Sequence, residues 1–547
     1  MKKKTLLTLV LTVILSLTAA FLLSGCDKTC TVKFDTHGGS EIAPITVNAG
    51  DTFVLPQNPK KFGMEFSGWY LDEQLVQEFI ETQKINEDIT LYAKWTEKAA
   101  ISFDFEFSTF LKNKTTGDNN IIKNVNFGFS AFSVPSDDEN GDIAKFAYKT
   151  VWATGRDASD SYSEGYKKLE SFFTQAGFVG LYFNDDYKVK PTADTMAFGV
   201  GYRDIGEVKV VVVALRSLNY DGEWISNVNM GTENEHEGFY TSAQKVYGEL
   251  KEYIATTFSE TDEIKLLVTG YSRGGAVAEQ LGRIMDDDVE FNRVTKSNLY
   301  VYAFNPPLNS KMPNDTEKYS NVHAFYSSCD VVYHILRPWD FGYIGTVKDI
   351  STEKLYDYIN DNFDTEIPEF SEATLDYSTF SIIKKEDGDI KTFKEFYDKL
   401  ITVLVFESEN EEYLLVDTRE KYMQNLYPVL EYLIGLMFDD NYDYVWALQN
   451  FDMSKVNFMF IMELLDKDSG KLYEEVTFLF DSAGFPYDAT ALKSACDTIQ
   501  WFAYTYMSND LSAFITVGAT GYYHRRMIIV NHDMEGVDFL LNEYCSK

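Results

Sequence analysis

The stretch Ile264–Gly275, IKLLVTGYSRGG, constrains the fold of this chain more than any other. The apolar β-formers Leu266, Leu267 and Val268 stop at Gly270, and Tyr271-Ser272-Arg273-Gly274-Gly275 lead into the helical pattern AVAEQLGRIM. A strand that becomes a helix within so few residues forces the residue at the bend into a backbone conformation that side chains resist. Glycines two before and two after Ser272 remove the atoms that would collide there. The pattern Gly270-x-Ser272-x-Gly274 therefore reads as a nucleophile elbow. Its hydroxyl stands at the end of the strand, and the backbone N–H groups of the next turn converge on the same spot, which suits acyl transfer. The competing reading is a glycine-rich turn with an incidental serine. The flanking strand and the small residues Gly274, Gly275, Ala276 and Ala278 at the helix start favour the elbow.

The 547 residues exceed one ordinary core and predict two or more domains. A 45% hydrophobic and 15% aromatic content describes a globular chain. A formal net charge of −36 argues against nucleic acid and against a broad electrostatic grip on anionic lipid. The first residues read as a targeting signal. Lys2, Lys3 and Lys4 precede an uncharged apolar run from Thr5 to Leu23, followed by Leu23-Ser24-Gly25-Cys26. This resembles a bacterial lipoprotein signal. The resemblance implies removal of residues 1–25 and a diacylglyceryl group on Cys26. Residues 26–29 would then be the lipidated N-terminus, holding the protein at the outer side of the cell membrane, where two acyl chains anchor stably. The other cysteines, Cys30, Cys329, Cys496 and Cys545, show no CxxC spacing. No metal or cofactor is expected from them, and no disulfide is assigned.

Residues 30–96 read as a separate unit. CTVKFDTHGG alternates at Val32 and Phe34 and turns at Gly38-Gly39, and two further strand patterns follow between Gly, Pro and Asn punctuation. The motifs FDTHGG, FSGWY and LYAKW resemble the internalin-B-type B-repeat of bacterial surface proteins. That implies a small β-grasp-like module able to contact cell wall or protein, with Trp69 and Trp95 in its core and His37 in a turn. Residues 97–547 form the second domain. EVKVVVVALRSL, NLYVYAFNPP and VHAFYSSCDVV read as buried strands, and HEGFYTSAQKVYGELKEYI as an amphipathic helix. Strands alternating with helices predict a parallel sheet and an α/β fold. Between about 345 and 510, Leu426, Leu430, Leu433 and Met437 share one helical face, which predicts a mostly helical insertion.

A serine nucleophile needs a base, and the base needs an orienting carboxylate. Asp330 ends the predicted strand after FYSSC, and His532 lies between strand-like MIIV and the helical DMEGVDFLL. The rivals are Asp340 for the acid and His524 for the base, although Arg525 and Arg526 disfavour an imidazolium there. His334 lies close to Asp330 in sequence, and His236 reads as a packing residue at a helix entry.

From about Val208 the chain resembles the class 3, fungal-type lipase family. VVVALRSL, Asp221-Gly-Glu-Trp224, His236-Glu-Gly238-Phe239, TGYSRGGAVA, VYAFNPP, CDVVYHI and His532 with its following helix match that family's motifs in order. The resemblance implies an α/β-hydrolase sheet, an ester or lipid substrate and no cofactor. It implies catalysis by Ser272, Asp330 and His532 through an acyl-enzyme. Oxyanion donors would be the backbone N–H of Arg273 and that of Ser217 or Leu218. The insertion would serve as a lid or a structural cap. Three departures stand out: Tyr271 replaces a histidine, Arg273 replaces a leucine, and Ser217-Leu218 replaces Gly-Ser/Thr. The alternatives are a surface binding protein with an inactive lipase-like domain, or a serine hydrolase acting on phospholipid or acetylated glycan.

Overall fold

The computed structural model describes residues 28–109, 111–155, 161–192, 195–217, 223, 226–227, 234–328, 330, 332, 336, 341–352, 354–364, scattered positions between 405 and 496, and 532–546. The signal segment with Cys26, and also Leu218, Cys329, His334, Asp340, His524 and the apolar face at 426–437, lie outside the described residues. The chain divides into two compact units: residues up to Ala100 together with Gly128–Ser133, and Ile101–Phe127 together with the chain from Val134 onward.

The first unit holds strands β1 (Thr29–Asp35), β2 (Ile45–Asn48), β3 (Met64–Tyr70) and β4 (Ile89–Glu97) in the order β2-β1-β4-β3. The central pair, β1 and β4, is parallel, and both edges are antiparallel. Alternation along the strands buries Val32, Leu91 and Ala93 with Trp69, and Phe34 meets the Trp69 ring edge-on at 5.1 Å. Trp95 packs against the same core and donates its indole N–H to the Thr36 carbonyl at 2.9 Å. His37 occupies the turn with φ of 47°.

The second unit is built on seven strands: β5 (Val179–Phe183), β6 (Phe198–Ile205), β7 (Val208–Leu215), β8 (Glu263–Tyr271), β9 (Leu299–Phe304), β10 (Val322–Tyr326) and β11 (Thr346–Asp349). They lie in the spatial order β11-β10-β9-β8-β7-β6-β5. Strands β7 to β11 are parallel, whereas β6 and β5 add on antiparallel at one edge. The helices are α1 (Gly141–Trp152), α2 (Lys167–Gln175), α3 (Glu237–Thr257), α4 (Arg273–Asp287), α5 (Lys354–Asn362) and α6 (Met534–Cys545). The valine run of β7 is fully buried on both of its faces, as a central parallel strand requires. Val211, Val213 and Leu215 share one cluster with Phe239, Val246 and Leu250 of α3 and with Ala276, Val277 and Leu281 of α4. Beyond β8, Tyr148 of α1 packs edge-on against Phe304 at 5.0 Å.

The structure corrects the start of the predicted insertion. Thr346–Asp349 is the outermost parallel strand of the sheet, with Val347 opposite Ala324. Three half-buried residues and an exposed Asp349 carry no periodicity, so only their pairing with β10 defines them. α5 is helical, whereas Val405–Glu407 and Tyr413–Leu415 form a short antiparallel pair. The remainder of the segment lies outside the described residues, apart from scattered positions. The glycines of β6 obscured its strand character. A Cβ at Gly199 would come 2.6 Å from Leu169, and one at Gly201 2.8 Å from Leu181. These positions are kept bare by the close approach of α2 and β5.

Candidate active site

Ser272 follows β8 directly and caps α4, with φ 51° and ψ −126°. These are the angles of the first central residue of a type II′ turn, where glycine is the usual occupant. The surroundings hold the serine there. Its N–H donates to the Phe304 carbonyl at 2.8 Å, and its own carbonyl accepts from the N–H groups of Gly275 at 2.9 Å and Ala276 at 3.1 Å. Both flanking glycines are required by contact. A Cβ at Gly270 would lie 2.0 Å from the Gly274 carbonyl oxygen, and one at Gly274 would lie 2.6 Å from Ser217 Oγ.

The carboxyl ends of the parallel strands bring the acid to the same place. Asp330 lies four residues beyond β10 and is 1% exposed. Its Oδ2 accepts from Asn305 Nδ2 at 2.6 Å, and its Oδ1 accepts from the Val332 N–H at 2.9 Å. Asn305 directly follows β9 in the left-handed region, at φ 42°, and its N–H is bonded to the Phe325 carbonyl at 2.7 Å. Sequence reasoning passed over this asparagine. Its signal was an amide side chain, tolerant of positive φ, directly after a buried parallel strand.

His532 sits just before α6, which begins with Asp533 as its N-cap. His532 Nδ1 lies 2.5 Å from Asp330 Oδ2, and Nε2 lies 3.0 Å from Ser272 Oγ. The tautomer that donates from Nδ1 to the carboxylate leaves the Nε2 lone pair to accept the serine hydroxyl. Positions 272, 330 and 532 are thus joined in one hydrogen-bonded line. Such a line can pass a proton from the hydroxyl to the imidazole while the carboxylate balances the charge that forms.

The two first-half oxyanion candidates separate in the structure. The Ser217 N–H is taken by Thr154 Oγ1 at 3.2 Å, and Ser217 Oγ accepts the Tyr271 N–H at 3.0 Å while donating to the Leu215 carbonyl at 2.9 Å. Ser217 therefore stitches β7 to the elbow, and its N–H does not serve as the oxyanion donor in this arrangement. Leu218, the other candidate, lies outside the described residues. Arg273 is the first residue of α4, where backbone N–H groups and the positive end of the helix dipole converge.

The Arg273 side chain is fully buried. Its Nε donates to Ser226 Oγ at 2.7 Å, one Nη donates to Glu223 at 3.2 Å, and the other donates to Ser242 Oγ at 3.0 Å and to the Thr195 carbonyl at 3.2 Å. Glu223 also accepts from Arg216 and from Thr195 Oγ1. This buried network of two guanidiniums and one carboxylate ties the end of β7, Glu223, Ser226 and the elbow together. His236 stands apart from it. Its ring stacks on Phe239 at 3.9 Å, and burial pushes its pKa down to about 3, so it stays neutral and packs.

Residues 212–337 match the family described as lipase (class 3), and residues 31–94 match the Listeria-Bacteroides repeat domain. Over 76 and 77 residues the chain is 38% and 39% identical to two proteins of Evansella cellulosilytica, named as a membrane protein and a Gly-rich membrane protein. Each match spans 14% of this chain, and the chain spans only about a tenth of those relatives' length, 11% and 9%. Among solved structures, lipase II from Rhizopus niveus is similar at 17% identity, covering 36% of this chain and 76% of that one, with a TM-score of 0.27. The triacylglyceride lipase of Rhizomucor miehei is similar at 17% identity, covering 40% and 83%, with a TM-score of 0.28. The chain thus carries an α/β region similar to the class 3 lipases, matched over residues 212–337, together with a Listeria-Bacteroides repeat matched over 31–94.

Proposed function

We propose that this protein is a serine carboxylic-ester hydrolase of lipase type, anchored outside the cytoplasm by a lipid on Cys26. The observation that supports this reading is the line Ser272 Oγ–His532 Nε2 and His532 Nδ1–Asp330 Oδ2 at the end of a strained strand–helix turn. Ser272 attacks the ester carbonyl while His532 takes its proton, and Asp330 holds the imidazolium. The oxyanion is held by the backbone N–H of Arg273, a donor worth roughly 3 kcal/mol. Collapse breaks the ester C–O bond, and His532 protonates the departing alcohol. Water then attacks the acyl-serine with His532 again as base, releasing the carboxylic acid and restoring Ser272. The Leu-Ser-Gly-Cys motif before the repeat supports placement at the membrane surface, near lipid or ester substrates, with the repeat free to contact cell wall or protein.

A fluorophosphonate probe, followed by peptide mapping, tests the chemistry. One phosphonylated residue is expected, at Ser272, with turnover of p-nitrophenyl esters lost in step with labelling. No labelling, or labelling mapped elsewhere, would overturn the proposal. Turnover across esters from acetate to palmitate then ranks acyl-chain preference.

A further inference from the structure

The base reaches the site from far along the chain: 202 residues separate it from its acid. A tether of that length fixes nothing, because closure entropy grows only with the logarithm of length while the range of reachable positions widens. The buried residues Val537, Leu540 and Leu541 hold α6 against the domain, and its Glu535 and Asp538 pair with Lys123 and Lys149, but apolar contact is non-directional and these ion pairs act on side chains past His532, not on His532 itself. Something else must set the imidazole.

Three consecutive residues at the start of α6 each accept a hydrogen bond from a side-chain hydroxyl. The Tyr271 hydroxyl donates to the His532 carbonyl. The Thr109 hydroxyl donates to the Asp533 carboxylate, at 2.8 Å and 2.9 Å to its two oxygens. The Tyr148 hydroxyl donates to the Met534 carbonyl at 2.7 Å. The three donors come from separate elements: the last residue of β8, the residue after the strand Ala100–Ser108, and α1. All three are buried, where hydrogen bonds are stronger than in water and a lost partner is costly. Asp533 also accepts the Glu535 N–H at 2.9 Å, so the residue gripped by Thr109 is the helix cap itself. The Tyr271 ring lies 5.0 Å from the imidazole and covers one side of it.

Building on the catalytic roles proposed above, we infer that Tyr271, Thr109 and Tyr148 form a hydroxyl clamp that positions the base. Tyr271 is the central member, because it is bonded covalently to the nucleophile and through its hydroxyl to the backbone of the base. Nucleophile and base thereby share one rigid reference, and the tyrosine that departs from the family's histidine takes on a role through that bond. These are positioning residues, acting through His532.

The test compares wild type with Tyr271→Phe, Tyr148→Phe, Thr109→Val and Thr109→Ser. It reads kcat and KM on a short-chain p-nitrophenyl ester, the rate of fluorophosphonate inactivation, and the thermal midpoint. Tyr271→Phe is expected to lower kcat and the inactivation rate on the order of 10²-fold, as a misplaced catalytic group does, with KM within about twofold. Thr109→Val lowers both rates roughly tenfold, and Thr109→Ser, which keeps the hydroxyl, restores them. Unchanged kcat in soluble, folded variants with only a lowered thermal midpoint would assign these hydroxyls to the scaffold and overturn the clamp. If Tyr271→Phe fails to fold, the Thr109→Val and Thr109→Ser pair decides the matter. A wild-type protein inert to the probe would remove the hydrolase reading and the clamp with it, whereas a reactive wild type with equally reactive variants removes the clamp alone.

Discussion

Ser272→Ala is expected to lower ester turnover on the order of 10⁶-fold while leaving KM and the folded structure nearly unchanged. Ser272 is 6% exposed, and alanine keeps the Cβ that the elbow already accommodates, so the substitution subtracts the nucleophile and little else. A small residual rate over water would come from oxyanion donors and bound-substrate orientation. Steady-state kinetics on protein quantified by absorbance, with fluorophosphonate titration to count any contaminating reactive serine, separates this from contamination. Turnover retained within tenfold would place the chemistry elsewhere and end the serine mechanism.

Glu223→Ala is expected to cost about 3–5 kcal/mol of stability, among the largest losses from any one side chain here. Glu223 is the carboxylate between Arg216 and Arg273, and all three are at most 4% exposed. Its removal takes from two buried guanidiniums the carboxylate that they share. The Tyr187 ring, 5.5 Å from the Arg216 guanidinium, supplies only a weak cation–π contact in its place. Denaturant unfolding measures the loss. Arg273→Leu made in the same chain is expected to return part of it, because one uncompensated charge is then gone and leucine is the residue the family pattern places there. A strictly additive double variant would show that the charges are not coupled.

Much of this architecture was readable before any coordinates. The valine run of β7 and the buried run of β8 could only be central parallel strands, since both faces are apolar. The glycines around Ser272 announced a turn that tolerates no added carbon. The partners at 330 and 532 were reachable through chain order and family motifs, because nothing in local sequence says which aspartate and histidine fold toward a given serine. What stayed hidden were bonds made between distant side chains. Thr154 claims the Ser217 N–H, Asn305 steadies Asp330, and Arg273 reaches Glu223, and none of these pairs has a fixed spacing. The outer strands β5 and β11, and β6 beside β5, were obscured for a related reason. Short or glycine-bearing segments owe their extended form to the neighbour they pair with, not to their own periodicity.

The backbone angles of Ser272 carry a consequence for how this protein balances durability against reactivity. A side chain held at positive φ with ψ near −126° stores on the order of 1–3 kcal/mol. Glycine would release that energy and lose only its greater freedom when unfolded. Ser272→Gly is therefore expected to be inert yet more resistant to urea than Ser272→Ala, by about 1 kcal/mol. The region is less stable than its own sequence could make it, and the deficit is concentrated in the one residue whose hydroxyl the chemistry requires.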